Sequence, residues 1–249
     1  MSSETIERVR DWLRSAKRIV VLTGAGISTE SGLQDFRGPQ GLWTKDPDAE
    51  KLSDIRYYMS DAAIRRKAWL QRLEMLARMA VPNRGHLALV QLERRGTLHA
   101  LITQNIDGLH QEAGTSPDLL VEVHGTVRRV RCMQCAWKGP MEETLARVQA
   151  GEADPPCLEC GGILKSDTIS FGQPLVPAVI SRAMRAAETA DLLLAVGTSL
   201  QVYPVAGAVP VAHDAGAHIV ILNGEPTPFD ELADAVLGGS IGDVLPRLL

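Results

Sequence analysis

The sequence predicts an α/β fold, a parallel sheet whose strands alternate with helices, carrying a small metal-binding insert. Three observations support this. Ile19-Val20-Val21-Leu22 is an unbroken apolar run, three of four residues β-branched, as expected of a strand covered on both faces. Further strand-like runs at 99–103, 119–123, 190–196 and 219–222 alternate with segments of helical periodicity. All four cysteines fall in two Cys-x-x-Cys pairs, Cys132/Cys135 and Cys157/Cys160.

Bulk properties narrow the function classes. The chain has 249 residues, 45% of them hydrophobic, enough for one large domain with a smaller insert. Twenty-six Lys and Arg against 30 Asp and Glu give a net charge of -4, so no global basic field draws the protein to nucleic acid. Arg128-Arg129 with Arg131, and Arg65-Arg66-Lys67, read as solvated faces. No apolar run approaches the roughly 20 residues of a membrane span. The first residues lack a basic head followed by an apolar stretch, and the expected setting is cytoplasmic.

In chain order, Ile6, Val9 and Leu13 mark an amphipathic helix over 4–16 that leads into the first strand. Gly24 and Gly26 then allow a sharp bend and the close approach of a ligand, and Ser28, Thr29 and Ser31 suit a helix start that would favour a phosphate. A plain tight turn explains the two glycines as well, because the third glycine of a dinucleotide fingerprint is out of place. Pro and Gly at 38–48 predict irregular backbone, and Ile64, Ala68, Leu73 and Leu76 restore helical periodicity over 61–79. A helix over 86–95 precedes a strand at 99–103 that ends in Gln104-Asn105-Ile106-Asp107, at the sheet edge where α/β folds place ligands. The strand at 119–123 ends in His124-Gly125, that at 190–196 in Gly197-Thr198-Ser199. The last clear strand, 219–222, ends in Asn223-Gly224-Glu225.

The cysteine pairs enclose 21 residues, and two such turns close a tetrahedral thiolate site suited to structural zinc. His124 is the best-placed imidazole for proton transfer near neutral pH, although a lone histidine is more often structural. Asn105 and Asp107 can read a primary amide, or can form an Asx turn capping the helix near Leu109. Phe36 and Arg37 are equally ambiguous, an aromatic being commonly core and an arginine commonly surface.

Taken together, Gly24-Ala25-Gly26-Ile27-Ser28, Asp35-Phe36-Arg37-Gly38, Thr103-Gln104-Asn105-Ile106-Asp107, Leu109-His110, His124-Gly125, the four cysteines, Gly197-Thr198-Ser199 and Asn223 resemble the sirtuin family of NAD-dependent protein deacylases. The match keeps the family's order over nearly the whole chain. The resemblance implies a Rossmann-like parallel-sheet domain (1–38, 82–127 and 166–249) with a smaller zinc-ribbon and helical domain inserted (39–81 and 128–165). NAD and an acyl-lysine peptide or protein would enter between them.

By this similarity Ala25, Gly26 and Ser28 hold the pyrophosphate, Thr198, Ser199, Asn223 and Glu225 the adenosine side, and Gln104, Asn105 and Asp107 the nicotinamide and ribose. Arg37 contacts phosphate, Phe36 covers the reactive carbon, and the main chain at Ile241 meets adenine. Gly24, Asp35, Ile106 and Gly197 complete the cofactor set, and Asn105 joins His124 as a catalytic residue. In the family's mechanism the acyl oxygen displaces nicotinamide from C1′, and His124 would then deprotonate a ribose hydroxyl, leading to free lysine and O-acyl-ADP-ribose.

The chain departs from the family at Gln34, where Pro is usual, and at Thr168-Ile169-Ser170-Phe171-Gly172-Gln173, where Val-Val usually precedes Phe-Gly-Glu. That loop pairs with substrate peptide in the family. The Tyr-x-x-Arg pair of desuccinylating members is absent, since Ser60 follows Tyr57 and Asp61 follows Tyr58 at that spacing, so a neutral acyl group is expected. An NAD-dependent ADP-ribosyltransferase is the alternative reading; a non-enzymatic binding module is disfavoured by the presence of His124 and Asn105.

Overall fold

The computed structural model describes residues 3–35, 49–77 and 80–249. Phe36, Arg37 and the segment expected to be irregular, 38–48, lie outside the described residues. Helix α1 (Ser3–Ser15) buries Ile6, Val9 and Leu13 and delivers the chain to β1 (Ile19–Thr23). Helices α2 (Ala49–Leu52), α3 (Ile55–Ser60), α4 (Ala62–Ala77) and α5 (Arg84–Arg94) precede β2 (Leu98–Thr103), α6 (Leu109–Ala113) and β3 (Leu120–Glu122). Next come β4 (Gly125–Cys132), β5 (Lys138–Pro140), α7 (Met141–Gln149) and β6 (Leu164–Thr168). The chain finishes with α8 (Pro177–Glu188), β7 (Leu192–Val196), α9 (Ala208–Asp214), β8 (His218–Leu222), β9 (Ala235–Leu237) and α10 (Ile241–Leu248).

Six strands form one parallel, Rossmann-like sheet in the order β3-β2-β1-β7-β8-β9. Burial on both faces explains the unbroken apolar run of β1. Ile19 and Val21 pack into the core under α1, α5 and α10, whereas Val20 and Leu22 pack into the opposite core under α8 and α9. The strand order reverses between β1 and β7, so the turns that follow them diverge from one switch point at the carboxyl edge.

The remaining strands make an antiparallel sheet, β5-β4-β6. Trp69 of α4 is buried there with Val130, Met141, Leu145, Leu164, Cys132 and Cys157, so the helical segment and the cysteine-bearing strands share a core. The Tyr58 hydroxyl donates to the Leu164 carbonyl (2.8 Å) and Arg65 Nε to Asp154 (2.8 Å), fastening the same two units.

Three local features differ from the sequence expectation. The helix after β1 is a 3-10 segment, Ala25–Ser31, that starts at Ala25 rather than among the hydroxyl residues; Ser28 lies within it and is buried. The strand at 219–222 is not the last, because β9 adds a further edge; three residues are too few to show a period. Helices α7 and α8 emerge where the cysteine pattern and the loops dominated the reading.

Gly24 is extended (φ -129°, ψ -172°), a conformation open to any residue, so the bend does not require glycine there. Space does. A Cβ on Gly24 would come within 2.8 Å of the Gly197 carbonyl oxygen, one on Gly26 within 2.8 Å of Gly197 Cα, and one on Gly197 within 2.4 Å of the Ile27 nitrogen. Gly197 also has φ +59°.

We expect Gly197→Ala to cost roughly 2–4 kcal/mol, summing a left-handed Cβ penalty and overpacking. Gly216, with φ +87° and open space around its absent Cβ, is the control, and Gly216→Ala should show only the backbone part in urea unfolding. Equal losses in the two variants would contradict the close-approach account.

Candidate active site

The glycine contact brings the two switch-point turns together. Gly26 N–H donates to the Gly197 carbonyl (2.8 Å) and Gly24 N–H to that of Val196 (3.2 Å), while Gly197 N–H reaches Leu222 O (2.9 Å). Gln104 joins a third turn to these, its backbone N–H donating to Thr23 O (3.0 Å) and its side-chain amide to Thr198 Oγ1 (2.9 Å). Leu200, just after this turn, has φ +54°, the one non-glycine residue in the left-handed region among the described residues.

Asn105 spends its amide protons on Gly24 O and Ser28 Oγ (both 3.1 Å), and Ser28 donates to Asp107 Oδ2 (2.8 Å). Asp107 Oδ1 accepts from the Leu109 N–H (2.9 Å), so the Asx-turn reading holds, and the same carboxylate also grips the glycine turn. Burial pushes the Asp107 carboxyl above its ordinary value.

Two histidines lie beneath. The Asn83 N–H donates to His86 Nδ1 (3.3 Å), which leaves the proton on Nε2, facing Ser28 Oγ at 3.4 Å. His110 is buried in α6 rather than in the Asp107 loop. Its Nε2 lies 3.0 Å from Thr23 Oγ1, which donates to Thr103 Oγ1 (2.9 Å), the atom that also accepts the Asn105 N–H (3.1 Å). The His110 Nδ1 is buried without a partner, and its ring meets that of His86 edge-on at 4.9 Å. Burial holds His86 down to about 4; burial and the neighbouring His86 hold His110 down to about 3.

His124 stands between β3 and β4. Its Nδ1 is 3.0 Å from the Gln104 carbonyl, which can only accept, so Nδ1 carries the proton and Nε2 offers its lone pair. Burial lowers its pKa and the Gln104 carbonyl partly opposes this, keeping the ring neutral at physiological pH.

The four cysteine sulfurs all lie within 4.8 Å of one another, with Cys132–Cys160 at 3.6 Å and Cys135–Cys157 at 3.8 Å. These separations far exceed a disulfide bond and match the edge of about 3.8 Å of a tetrahedron built on 2.3 Å zinc–sulfur bonds. Backbone N–H groups of Gln134 and Cys135 point at Cys132 Sγ (3.4 Å each), a hydrogen-bonding pattern that favours thiolate. The four residues fit a closed structural zinc site.

Of the residues assigned from sequence, Gly24, Ala25, Gly26, Ser28, Gln104, Asn105, Ile106, Asp107, Gly197, Thr198 and Ser199 lie in or beside the three turns. Asn223 follows β8, its amide donating to the Glu225 carbonyl (2.7 Å). Ile241 opens α10, where Glu30 accepts from the next N–H, that of Gly242 (3.0 Å). Asp35 ends the first described segment. The sequence reading gave no site role to Asn83, His86, Thr23 and Thr103. Asn83-x-x-His86 is the spacing of a capping box, which the structure contains, and was the available signal.

A Rossmann-like sheet with polar turns at its switch point, joined to a four-cysteine ribbon, defines a dinucleotide-binding protein with a structural zinc module. The sequence profile of the Sir2 family matches residues 24–204, and the chain belongs to the Sir2 family. It is 52% identical over 231 residues to NAD-dependent protein deacetylase 2 of Streptomyces coelicolor, covering 93% of this chain and 96% of that one. It is 43% identical to an NAD-dependent protein deacetylase of Sulfolobus acidocaldarius, covering 99% and 94%. Among solved structures, a Sir2 enzyme superposes with TM-score 0.88 at 36% identity, covering 99% of this chain and 97% of that one. A Sir2 variant with deacetylated p53 peptide and 3′-O-acetyl-ADP-ribose gives 0.88 at 32%, covering 98% and 96%.

Metal analysis is expected to find one zinc per chain, and Cys132→Ala to lose it together with the stability of the β4–β6 sheet, as metal binding and folding are coupled. Active, fully folded protein without zinc would refute this. Separately, the folded pKa values of His86 and His110 lie below the unfolded value of 6.5, so unfolding takes up protons and stability falls as pH drops from about 6.5 toward 4. His110→Gln should flatten that dependence by up to about 1.4 kcal/mol per pH unit. The raised Asp107 contributes with opposite sign in both proteins and cancels. Parallel stability–pH curves would contradict the buried neutral histidine.

Proposed function

We propose that the protein is an NAD-dependent protein lysine deacylase acting on acyl-lysine peptides or proteins, with nicotinamide and O-acyl-ADP-ribose as products. The observation that carries this is the His124 imidazole, held with Nε2 as the acceptor beside the switch-point turns by one backbone hydrogen bond. The relatives named as deacetylases and the Sir2 structure holding an acetylated ADP-ribose favour acyl transfer over ADP-ribosylation of protein.

The donor set suits the dinucleotide. Hydroxyls of Thr198 and Ser199, amides of Gln104 and Asn105, and Asp107 supply hydrogen-bonding groups for ribose hydroxyls and a carboxamide. NAD supplies the glycosidic carbon from which nicotinamide leaves as the acyl oxygen adds. Gln104, Asn105 and Asp107 orient the nicotinamide end, and His124 Nε2 accepts the ribose hydroxyl proton. Gly24, Ala25, Gly26 and Ser28 hold the pyrophosphate, and Asn223, Glu225 and Ile241 flank the adenosine.

A neutral acyl group is the expected cargo. The Tyr58 hydroxyl is spent on the Leu164 carbonyl, so it does not serve a second carboxylate.

His124→Ala is expected to lower nicotinamide release from NAD plus acetyl-lysine peptide by about 100-fold or more, the scale of a lost general base, with zinc content unchanged. Adenine-labelled NAD should leave its label in soluble O-acyl-ADP-ribose. Label on protein would favour the transferase reading, and retained turnover would remove His124 from its role.

A further inference from the structure

Lys165 is 2% exposed, among the largest fully buried side chains of the protein. A buried amine must find hydrogen-bond partners. Among the described residues no carboxylate lies within ion-pair distance of it; its neighbour Asp167 faces Lys138 (2.8 Å), Arg129 (3.7 Å) and Arg131 (3.8 Å) instead. Among the described residues Lys165 Nζ meets only oxygens of its own strand end: Thr168 O at 2.6 Å, Ser166 O at 3.3 Å and Thr168 Oγ1 at 3.4 Å. In either protonation state the nitrogen donates to the nearest of these.

The 2.6 Å contact matters because of what the same peptide group does at its other end. The Ile169 N–H, one bond beyond the Thr168 carbonyl carbon, donates to the His124 carbonyl (2.8 Å). One amide is thus clamped twice, its oxygen by Lys165 and its N–H by the backbone of His124. Drawing electron density toward the oxygen makes the N–H a stronger donor, so the two bonds reinforce each other. The crossing is tight: Gly125, next to His124, has φ +71°, and a Cβ there would come within 2.1 Å of Asp167 O. Beyond it, Phe171 N–H donates to Ser53 O (2.8 Å) and Ile55 N–H to Phe171 O (3.0 Å), so the clamped strand end also ties His124 to the helical segment.

We propose that Lys165 is a positioning residue for His124, fixing the Thr168–Ile169 peptide group to which the His124 backbone is bonded and hence the place of its imidazole. The inference rests on the reading of His124 as the base. Lys165→Met keeps most of the length and removes the donors. Its kcat for acetyl-peptide turnover should fall about 10- to 100-fold, the scale of a misplaced catalytic group, while the KM for NAD changes less than about twofold. Nuclear magnetic resonance supplies a readout independent of activity. The Ile169 amide proton should move upfield and exchange faster, the His124 ring signals should shift, and the zinc content should stay the same. Lys165→Arg, which retains donors, should recover part of both the rate and the Ile169 signal; if the Met variant does not fold, Lys165→Gln, too short to carry a donor to the place of Nζ, is read in its place. Unchanged Ile169 and His124 signals in a folded Lys165→Met protein would overturn the proposal. If His124→Ala keeps its activity, the base assignment fails, and the same spectra still decide whether Lys165 places His124.

Discussion

The contact on which the site depends is backbone against backbone, where the turn after β1 lies on the turn after β7. At a switch point the two connections leave in opposite directions, and here they touch before parting, with Gly26 N–H on the Gly197 carbonyl at 2.8 Å. No side chain fits between them. That absence lets Gln104 span from Thr23 to Thr198 and gives Asn105 the Gly24 carbonyl as a partner. Three strand ends become one surface only because two of them meet without side chains.

Much of this was legible in the sequence, and the exceptions have physical causes. An apolar run with no alternation identifies a doubly covered strand, and β1 divides its side chains between the two cores as that reading requires. The cysteine spacing identified the thiolate cluster because four ligands on two turns have few other uses. The glycines were located, but the local reason offered for them, a bend and a close ligand, missed the partner turn more than 170 residues away. No local pattern reports a contact between residues so far apart. The contacts of His86 and His110 were not legible for a related reason. A histidine's role is set by what its two nitrogens meet, here Ser28, Asn83 and Thr23, brought from three separate stretches of chain.

Those histidines also show how the protein keeps a polar floor under the site without adding charge. Both rings are neutral, and each is arranged so that one nitrogen donates to a hydroxyl. Ser28 passes its proton on to Asp107, and Thr23 passes its own to Thr103. Each hydroxyl therefore both accepts and donates. The chain ends on an acceptor that also caps the next helix at Leu109, so the glycine turn, the Asn105 turn and α6 are held by one connected set of bonds. Only the His110 Nδ1 stands outside it, buried without a partner.

His124 is held differently. A base oriented by a carboxylate has its proton affinity raised by the neighbouring negative charge; one oriented by a carbonyl gains the same tautomer with a smaller rise. Burial then dominates, and the ring stays neutral with Nε2 open. The cost of this arrangement is that a carbonyl orients only as well as its own backbone is fixed. Gln104 meets that need on one side through its bonds to Thr23 and Thr198. On the other side the His124 carbonyl meets Ile169, and the Thr168 oxygen of that same peptide group meets the Lys165 amine. The position of the imidazole is therefore shared between the two sheets, its ring bonded to the end of β2 and its backbone to the residue just past β6.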